Sequence, residues 1–294
     1  MPSQKILLND IDRQLLKIAL EEDLSKSYID LTSTFLFSDN QIDVAKAYII
    51  SKHPAQIIVC GVDLIHECLS MLNSNAKIII HAVDGTVINP GEKIATIEAK
   101  PCEILMIERV ILNFLQRLSA IATTTGLFVD KIKNTALKIL DTRKTTPGLR
   151  HLEKYAVSCG GGVNHRFGLY DALMIKDTHI DALGGVSLAL QKLPDNILEK
   201  HPVILEVRNF EELKTALERG QNKITRVLLD NMSLEELKTC VNFCKGRIAT
   251  EASGNIDLNN IQAIAATGVD FASIGKITHS AGVVDLSMQC ELKK

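Results

Sequence analysis

Residues 137–177 read LKILDTRKTTPGLRHLEKYAVSCGGGVNHRFGLYDALMIKD. A short apolar run at 137–140 ends in Asp141, Arg143 and Lys144. A helical pattern spans 149–158, then come three consecutive glycines at 160–162. A second apolar run at 172–175 ends in Lys176-Asp177. Two short runs with a helix between them form a β-α-β unit, which places its strands parallel with a right-handed crossover. The stretch also concentrates Arg143, Lys144, Arg150, His165, Arg166 and Lys176.

The unit repeats downstream. Apolar strands are expected at 203–207, 226–229, 247–250 and 270–274, with helices at 183–193, 210–219, 233–245 and 257–267. Each strand ends in polar residues: Glu206 and Arg208, then Asp230-Asn231, then Glu251, Ser253 and Gly254, then Gly275. Polar groups at six successive carboxyl ends converge only if the strands curve into a ring, with the chemistry at its C-terminal face. Six strands are fewer than the eight of a closed barrel, so an open, incomplete α/β barrel is expected. No glycine-rich dinucleotide fingerprint follows the first strand.

Upstream, residues 9–24 form a capped amphipathic helix, with Asn9 or Asp10 as cap and Ile11, Leu15, Leu16, Ile18 and Leu20 as its apolar stripe. A turn-rich link runs to Phe37. Strands follow at 42–51, 55–60 and 77–83, with a helix at 62–72. The Asp84-Gly85 turn and the Asn89-Pro90-Gly91-Glu92 turn separate short strands at 86–88 and 93–98. The first hundred residues are therefore expected to form a mainly antiparallel sheet with one or two covering helices. Pro101 opens a long helix over 102–133. The domain boundary falls on it, dividing 1–115 from the 116–275 barrel.

The chain has 33 Lys+Arg against 35 Asp+Glu, a formal net charge of -2. A local basic cluster on a neutral background suits a small, highly charged anion rather than nucleic acid, which needs a broad basic face. Trp is absent and aromatics make up 4%, which disfavours a base-stacking platform. No apolar run approaches the ~20 residues of a membrane helix. The start MPSQKILLND lacks the apolar core of a secretory signal. Seven scattered cysteines, an odd number, point to reduced thiols and a cytoplasmic location. Cys240 and Cys244 are expected as buried small hydrophobes.

Three constellations carry chemistry. The basic one comprises Arg143, Lys144, His165, Arg166 and Lys176, with Arg109 as an outlier. Arginine forks grip carboxylates or phosphates, so several together imply a polyanionic ligand; the plainer reading is an ion-pair network. The acidic one comprises Glu206 and Asp230, with Glu251 as a candidate third. Such lone carboxylates suit Mg2+ or ribose hydroxyls, or simply neutralise the basic set. The third is Ser253, Gly254, Asn255, Gly275 and Lys276, in the last two loops, where barrels hold phosphate. A lysine at a strand end also suits a Schiff-base nucleophile, which leaves that chemistry open for Lys176.

Read together, the motifs resemble quinolinate phosphoribosyltransferase. They are Glu108-Arg109, Leu112-Asn113, Leu118-Ser119, Asp141-Thr142-Arg143-Lys144-Thr145, Lys154-Tyr155-Ala156 and Gly160-Gly161-Gly162-Val163-Asn164-His165-Arg166. Ile175-Lys176-Asp177, Leu229-Asp230-Asn231, Glu251-Ala252-Ser253-Gly254 and Thr278-His279-Ser280 continue them in family order. The resemblance implies a pentosyltransferase of NAD biosynthesis. Quinolinate and phosphoribosyl pyrophosphate would give nicotinate mononucleotide, CO2 and pyrophosphate, with Mg2+ as cofactor.

It also implies a fold, an N-terminal α+β sandwich domain with an open α/β barrel, and roles. Arg143, His165, Arg166 and Lys176 would bind the quinolinate carboxylates, and Lys144 the phosphate or pyrophosphate. Glu206 and Asp230 would serve ribose and Mg2+. Ser253, Gly254 and Gly275 would hold the 5′-phosphate. Arg109 would cross the interface of a homodimer, and the segment 276–294 would return to the first domain. Two positions depart from the family pattern. Arg208 stands where an acid is usual, and Lys276 stands where a small residue is usual. A paralogue acting on another anionic ligand, or a binding protein without catalysis, would carry a similar framework.

Overall fold

The computed structural model describes residues 5–37, 44–220 and 222–292. The first part of the chain forms α1 (Asp10–Leu24), α2 (Leu31–Leu36), β1 (Ala45–Ser51), β2 (Ile57–Ile58), α3 (Asp63–Met71), β3 (Lys77–Ile80), β4 (Val87–Ile88), β5 (Lys93–Ala99) and α4 (Pro101–Lys131). Then come β6 (Lys138–Leu140), α5 (Arg150–Cys159), β7 (Leu173–Ile175), α6 (Asp177–Leu183), α7 (Val186–Gln191), β8 (Val203–Val207) and α8 (Phe210–Gly220). The chain closes with β9 (Arg226–Asp230), α9 (Leu234–Cys244), β10 (Ala249–Ser253), α10 (Ile261–Ala266), β11 (Phe271–Ser273), α11 (Lys276–His279) and β12 (Leu286–Leu292).

These elements divide into two units. The first takes residues within 1–126, 145–161 and 280–294; the second takes 127–144 and 162–279. The dividing point thus lies further along α4 than 115/116. The first unit also claims α5, and residues 276–279 stay with the second.

The first unit holds an antiparallel sheet in the order β12-β1-β5-β3. The C-terminal strand β12 lies beside β1, with Ala47 opposite both Ile97 and Cys290. Strands β2 and β4 form a separate pair. The expected strand over 42–51 begins, within the described residues, at Ala45; residues 42 and 43 lie outside them. Ile49, Ile97, Leu64, Ile65, Ile104, Ile107 and Ile111 are buried in this unit, each contributing roughly 1.5–3 kcal/mol by its removal from water.

Asn9 caps α1, accepting from the Asp12 amide at 2.9 Å while Asp12 accepts from the Asn9 amide at 3.0 Å. The buried stripe of α1 is Asp12, Leu16, Leu20 and Leu24, an i,i+4 row. Ile11 and Ile18 are exposed, which corrects the expected stripe. The turn-rich link contains α2, capped by Asp30 through the Ser33 amide at 3.1 Å.

Helix α5 belongs to the first unit because its buried face carries charge that needs partners there. Glu153 is fully buried and meets Arg117 of α4 at 2.9 Å. The Tyr155 hydroxyl donates to Asp84 at 2.8 Å, and Asp84 also accepts from the Gly61 and Val62 amides. Such satisfied buried groups fix one packing arrangement.

The second unit holds six parallel strands in the order β6-β11-β10-β9-β8-β7. Strands β6 and β7 are neighbours in sequence yet occupy opposite edges, so the sheet is open. This is the incomplete α/β barrel expected, accompanied by the α+β sheet unit. Val203, Leu205, Val207, Val227 and Leu229 are buried, the near-continuous apolar runs of strands covered on both faces. Past the glycines, Val163 bridges to Leu140, donating its amide to Ile139 at 2.8 Å. Of the expected helix over 183–193 the structure forms α7; α6 precedes it, and Gly184 and Gly185, both at positive φ, separate the two. Among the described residues, no helix is long and apolar enough to cross a membrane.

Candidate active site

The strand register brings the ends of β6 to β11 to one side of the second unit. Ser273 pairs with Leu140, Ser253 with Asp230, Val207 with Leu229 and Ile175 with Leu205. At one end of this row is a cleft of about 420 Å3, lined by Arg143, Arg166, Lys176 and His179 with apolar Leu169 and Ile175 among its walls. Cations over an apolar floor suit a small aromatic dianion.

The loop that delivers Arg166 is held along its length. Asp141, fully buried, accepts from the His165 amide at 2.8 Å. Asp171 accepts from the Phe167 and Gly168 amides at 2.6 and 2.9 Å. Arg166 donates Nη1 to the Ala172 carbonyl at 3.1 Å. Its guanidinium sits below its ordinary pKa through partial burial and the nearby charge of Arg143. Lys176 caps α6, and its amide donates to His179 Nδ1 at 3.0 Å.

His165 was expected beside these cations in the clamp. It is buried and is not part of the cleft lining. Its Nδ1 accepts from the Arg166 amide at 2.6 Å, and its Nε2 lies 3.3 Å from Glu251. Arg109 is exposed on α4 in the first unit, and Arg150 of the original cluster donates to Thr145 there at 3.1 Å.

The acidic residues separate. Glu206 and Asp230 are half-buried at adjacent strand ends. Burial raises the Glu206 pKa above its ordinary value; Lys176 opposes this, while Asp230 and Asp177 add to it. Glu206 also accepts from the Asp177 amide. Hard oxygen donors that repel one another make a fit for a divalent cation, which would relieve that repulsion. Glu251, the candidate third carboxylate, is instead fully buried between His165 and Arg226, at 3.3 and 3.1 Å. Alternation along β10 turns its side chain into the unit. Arg208 is engaged by Asp181 and Glu212, with contacts of 2.6 to 3.0 Å.

The last loops have the geometry of backbone cradles. Gly254 has φ +93, and a Cβ there would stand 2.9 Å from the Cα of Asn231. Asn231 and Asn255 are themselves at positive φ, joined through Asn255 Nδ2 to Asn231 Oδ1 at 3.0 Å. A Cβ on Gly275 would meet the His279 ring and the Lys144 side chain, each at 3.1 Å. Thr278 Oγ1 lies 2.8 Å from the Lys144 carbonyl, fixing that segment. Lys144 therefore sits with the Gly275 loop. His179 was missed from sequence, and Asp177 and His279, though inside the motifs, were given no role. Each lies within three or four residues of a site position, and that proximity was the available signal.

The sequence pattern of the quinolinate phosphoribosyl transferase C-terminal domain matches residues 121–289, and that of the N-terminal domain matches 30–119. A Bacillus subtilis protein named probable nicotinate-nucleotide pyrophosphorylase (carboxylating) is 40% identical over 90% of this chain and 88% of its own length. The chloroplastic nicotinate-nucleotide pyrophosphorylase (carboxylating) of Arabidopsis thaliana is 36% identical over 95% of this chain and 82% of its own. The solved nicotinate-nucleotide pyrophosphorylase of Francisella tularensis superposes with a TM-score of 0.87 at 38% identity, covering 97% of this chain and 98% of that one. With an open six-stranded sheet, a cationic cleft and both domain patterns in place, the chain belongs to the quinolinate phosphoribosyl transferase family.

Proposed function

We propose that the protein joins quinolinate to phosphoribosyl pyrophosphate, releasing CO2 and pyrophosphate and forming nicotinate mononucleotide. The observation that carries this reading is the meeting of Arg143, Arg166 and Lys176 in one cleft, with Lys176 acting on Glu206 at the next strand end. A dicarboxylate in the cleft would present its ring nitrogen toward a ribose held at the following strands.

Arg143, Arg166 and Lys176 bind and orient the two carboxylates. Orientation of this kind supplies much of a rate enhancement. Ser253, Gly254 and Gly275 bind the 5′-phosphate through backbone amides, with His279 and Lys144 beside them. Lys144 stabilises the departing pyrophosphate. Glu206 and Asp230 would hold Mg2+, which when bound supplies charge compensation for the pyrophosphate oxygens. The same carboxylates favour positive charge developing at ribose C1.

The ring nitrogen lone pair forms the bond to C1 as the C1–oxygen bond breaks, its electrons leaving with pyrophosphate. The nitrogen is then positive. When the adjacent carboxylate leaves as CO2, the electrons of that C–C bond are held next to the positive nitrogen, and a proton takes the vacated ring position. No protein base is required for the C–C cleavage.

A homodimer is part of this reading, with the partner subunit's Arg109 completing each cleft. Its support is the exposure of Arg109 together with apolar side chains on α1 and α2, including Ile11, Leu31, Phe35 and Leu36. Free cysteines agree with a reducing cytoplasm. Lys176 is exposed beside Glu206, unlike the desolvated setting of a Schiff-base lysine. Incubation with both substrates and Mg2+, following CO2 and nicotinate mononucleotide together, tests the proposal. One-to-one formation supports it, and binding without product would leave an anion-binding protein.

A further inference from the structure

Glu251, like Asp141, is a fully buried carboxylate of the second unit, yet it does not line the cleft. It stands in the middle of β10, between Leu228 of β9 and Phe271 of β11. Its Oε2 lies 3.1 Å from Arg226 Nε, and the Arg226 guanidinium in turn covers the Phe271 ring at 4.7 Å. Its Oε1 lies 3.3 Å from His165 Nε2, a distance of ion-pair attraction whose angle falls short of a linear hydrogen bond.

Burial alone would push the acidity of Glu251 weaker. His165, Arg226 and Ser273 outweigh burial and hold its pKa below the ordinary value, so the group is ionised at neutral pH. Removing one partner of such a buried charge is costly, so the carboxylate and the groups around it hold one another's orientation. Its contact with His165 indicates what is being oriented.

The His165 ring has a fixed sense. Nδ1 accepts the Arg166 amide proton at 2.6 Å, so in the neutral ring the remaining proton is on Nε2, facing Glu251. The same residue's amide is held by Asp141. Arg166, one residue on, reaches the cleft and is braced on the Ala172 carbonyl. A chain of contacts therefore runs from Arg226 through Glu251 and His165 to the backbone of Arg166.

We propose that Glu251 is a positioning residue for the transfer reaction, seated by Arg226, which fixes the ring of His165 and through it places Arg166 for the substrate carboxylate. This rests on the reading of the Arg143–Arg166–Lys176 cleft as the dicarboxylate site. The role is distinct from metal binding. Loss of the Glu251 charge frees the imidazole to turn, removes the acceptor of the Arg166 amide, and weakens the hold on quinolinate rather than on phosphoribosyl pyrophosphate.

Imidazole 15N spectra of the unmutated protein come first, and they require no variant. The neutral His165 ring is expected as the Nε2–H tautomer; a proton on Nδ1 would overturn the proposal. Steady-state kinetics of Glu251→Gln, His165→Asn and the double variant follow. Glu251→Gln is expected to raise the quinolinate KM roughly tenfold while moving the phosphoribosyl pyrophosphate KM less than about twofold. The double variant is expected to be no worse than the worse single one, since both act through one contact. Unchanged quinolinate KM, or losses that multiply, would overturn the role. Should Glu251→Gln fail to fold, Arg226→Lys takes its place in the cycle with the same expectations. Arg166→Ala is the control for the cleft itself. If it leaves the quinolinate KM unchanged the cleft reading falls, whereas if it raises that KM and Glu251→Gln does not, the positioning role alone falls.

Discussion

Arg143 bears on the charge of Arg166: its proximity, together with partial burial, makes the Arg166 cation less favourable than it would be in water. Two cations forced together are costly until an anion lies between them, and the cost is recovered when a dicarboxylate binds. Arg166→Ala is expected to raise the quinolinate KM by about 10–100-fold, the range of a lost charge-assisted contact. Nicotinate, with one carboxylate, is expected to compete weakly. Inhibition and KM measurements check both, and equal affinity for the two acids would count against a paired clamp.

Lys176 lies on the surface of the cleft and packs nothing into the core. Lys176→Ala is expected to keep the circular dichroism spectrum and melting temperature of the parent while losing most turnover. Kinetics close to the parent would remove Lys176 from the site.

Glu206 titrates above its ordinary value because burial disfavours its charge, Lys176 only partly offsetting this. The sign follows by linkage. A carboxyl whose folded pKa exceeds its unfolded one binds more protons when folded, so its contribution to stability falls as pH rises through that window and stays unfavourable at neutral pH. Glu206→Gln is therefore expected to raise the melting temperature at pH 7 and to lose that gain at acid pH, where the parent carboxyl is protonated. The same variant is expected to lose most activity. A lower melting temperature at neutral pH would contradict the account.

Gly254 combines φ +93 with an approach that leaves 2.9 Å for a Cβ against the Asn231 backbone. Gly254→Ala is expected to cost about 1–3 kcal/mol of stability, the range of such backbone strain. Its kinetic loss is expected in the KM for phosphoribosyl pyrophosphate. Denaturant unfolding and KM measurements decide it, and a neutral substitution would exclude a rigid cradle.

Arg109 is testable by mixing subunits. An Arg109→Ala chain combined with a Lys176→Ala chain is expected to regain activity, since one of the two clefts in a mixed dimer would have both residues intact. No recovery in dimers confirmed to be mixed would mean that Arg109 does not act across an interface.

Much of the second unit was legible because its strands are covered on both faces. The runs at 203–207 and 226–230 are mostly apolar and carry Glu206 and Asp230 at or next to their carboxyl ends, so both strand and site announce themselves. Helix α5 was less legible. Its pattern fits a barrel helix, but the buried Glu153–Arg117 pair, 36 residues apart in sequence, ties it to the first unit. The C-terminal strand was available only through family resemblance, since Leu286–Leu292 gains its meaning by pairing with β1. His165 and Glu251 have site-like chemistry and site-like sequence positions. Their burial against each other depends on the facing of β10 and on a loop held by Asp141. Neither follows from periodicity.

The proposed function stands or falls on quinolinate binding in the cleft of Arg143, Arg166 and Lys176. A crystal structure with quinolinate bound tests it most directly. One carboxylate is expected at the Arg143–Arg166 pair, the other at Lys176, and the ring nitrogen facing Glu206 and Asp230. Quinolinate bound elsewhere, with this cleft holding only solvent, would contradict it.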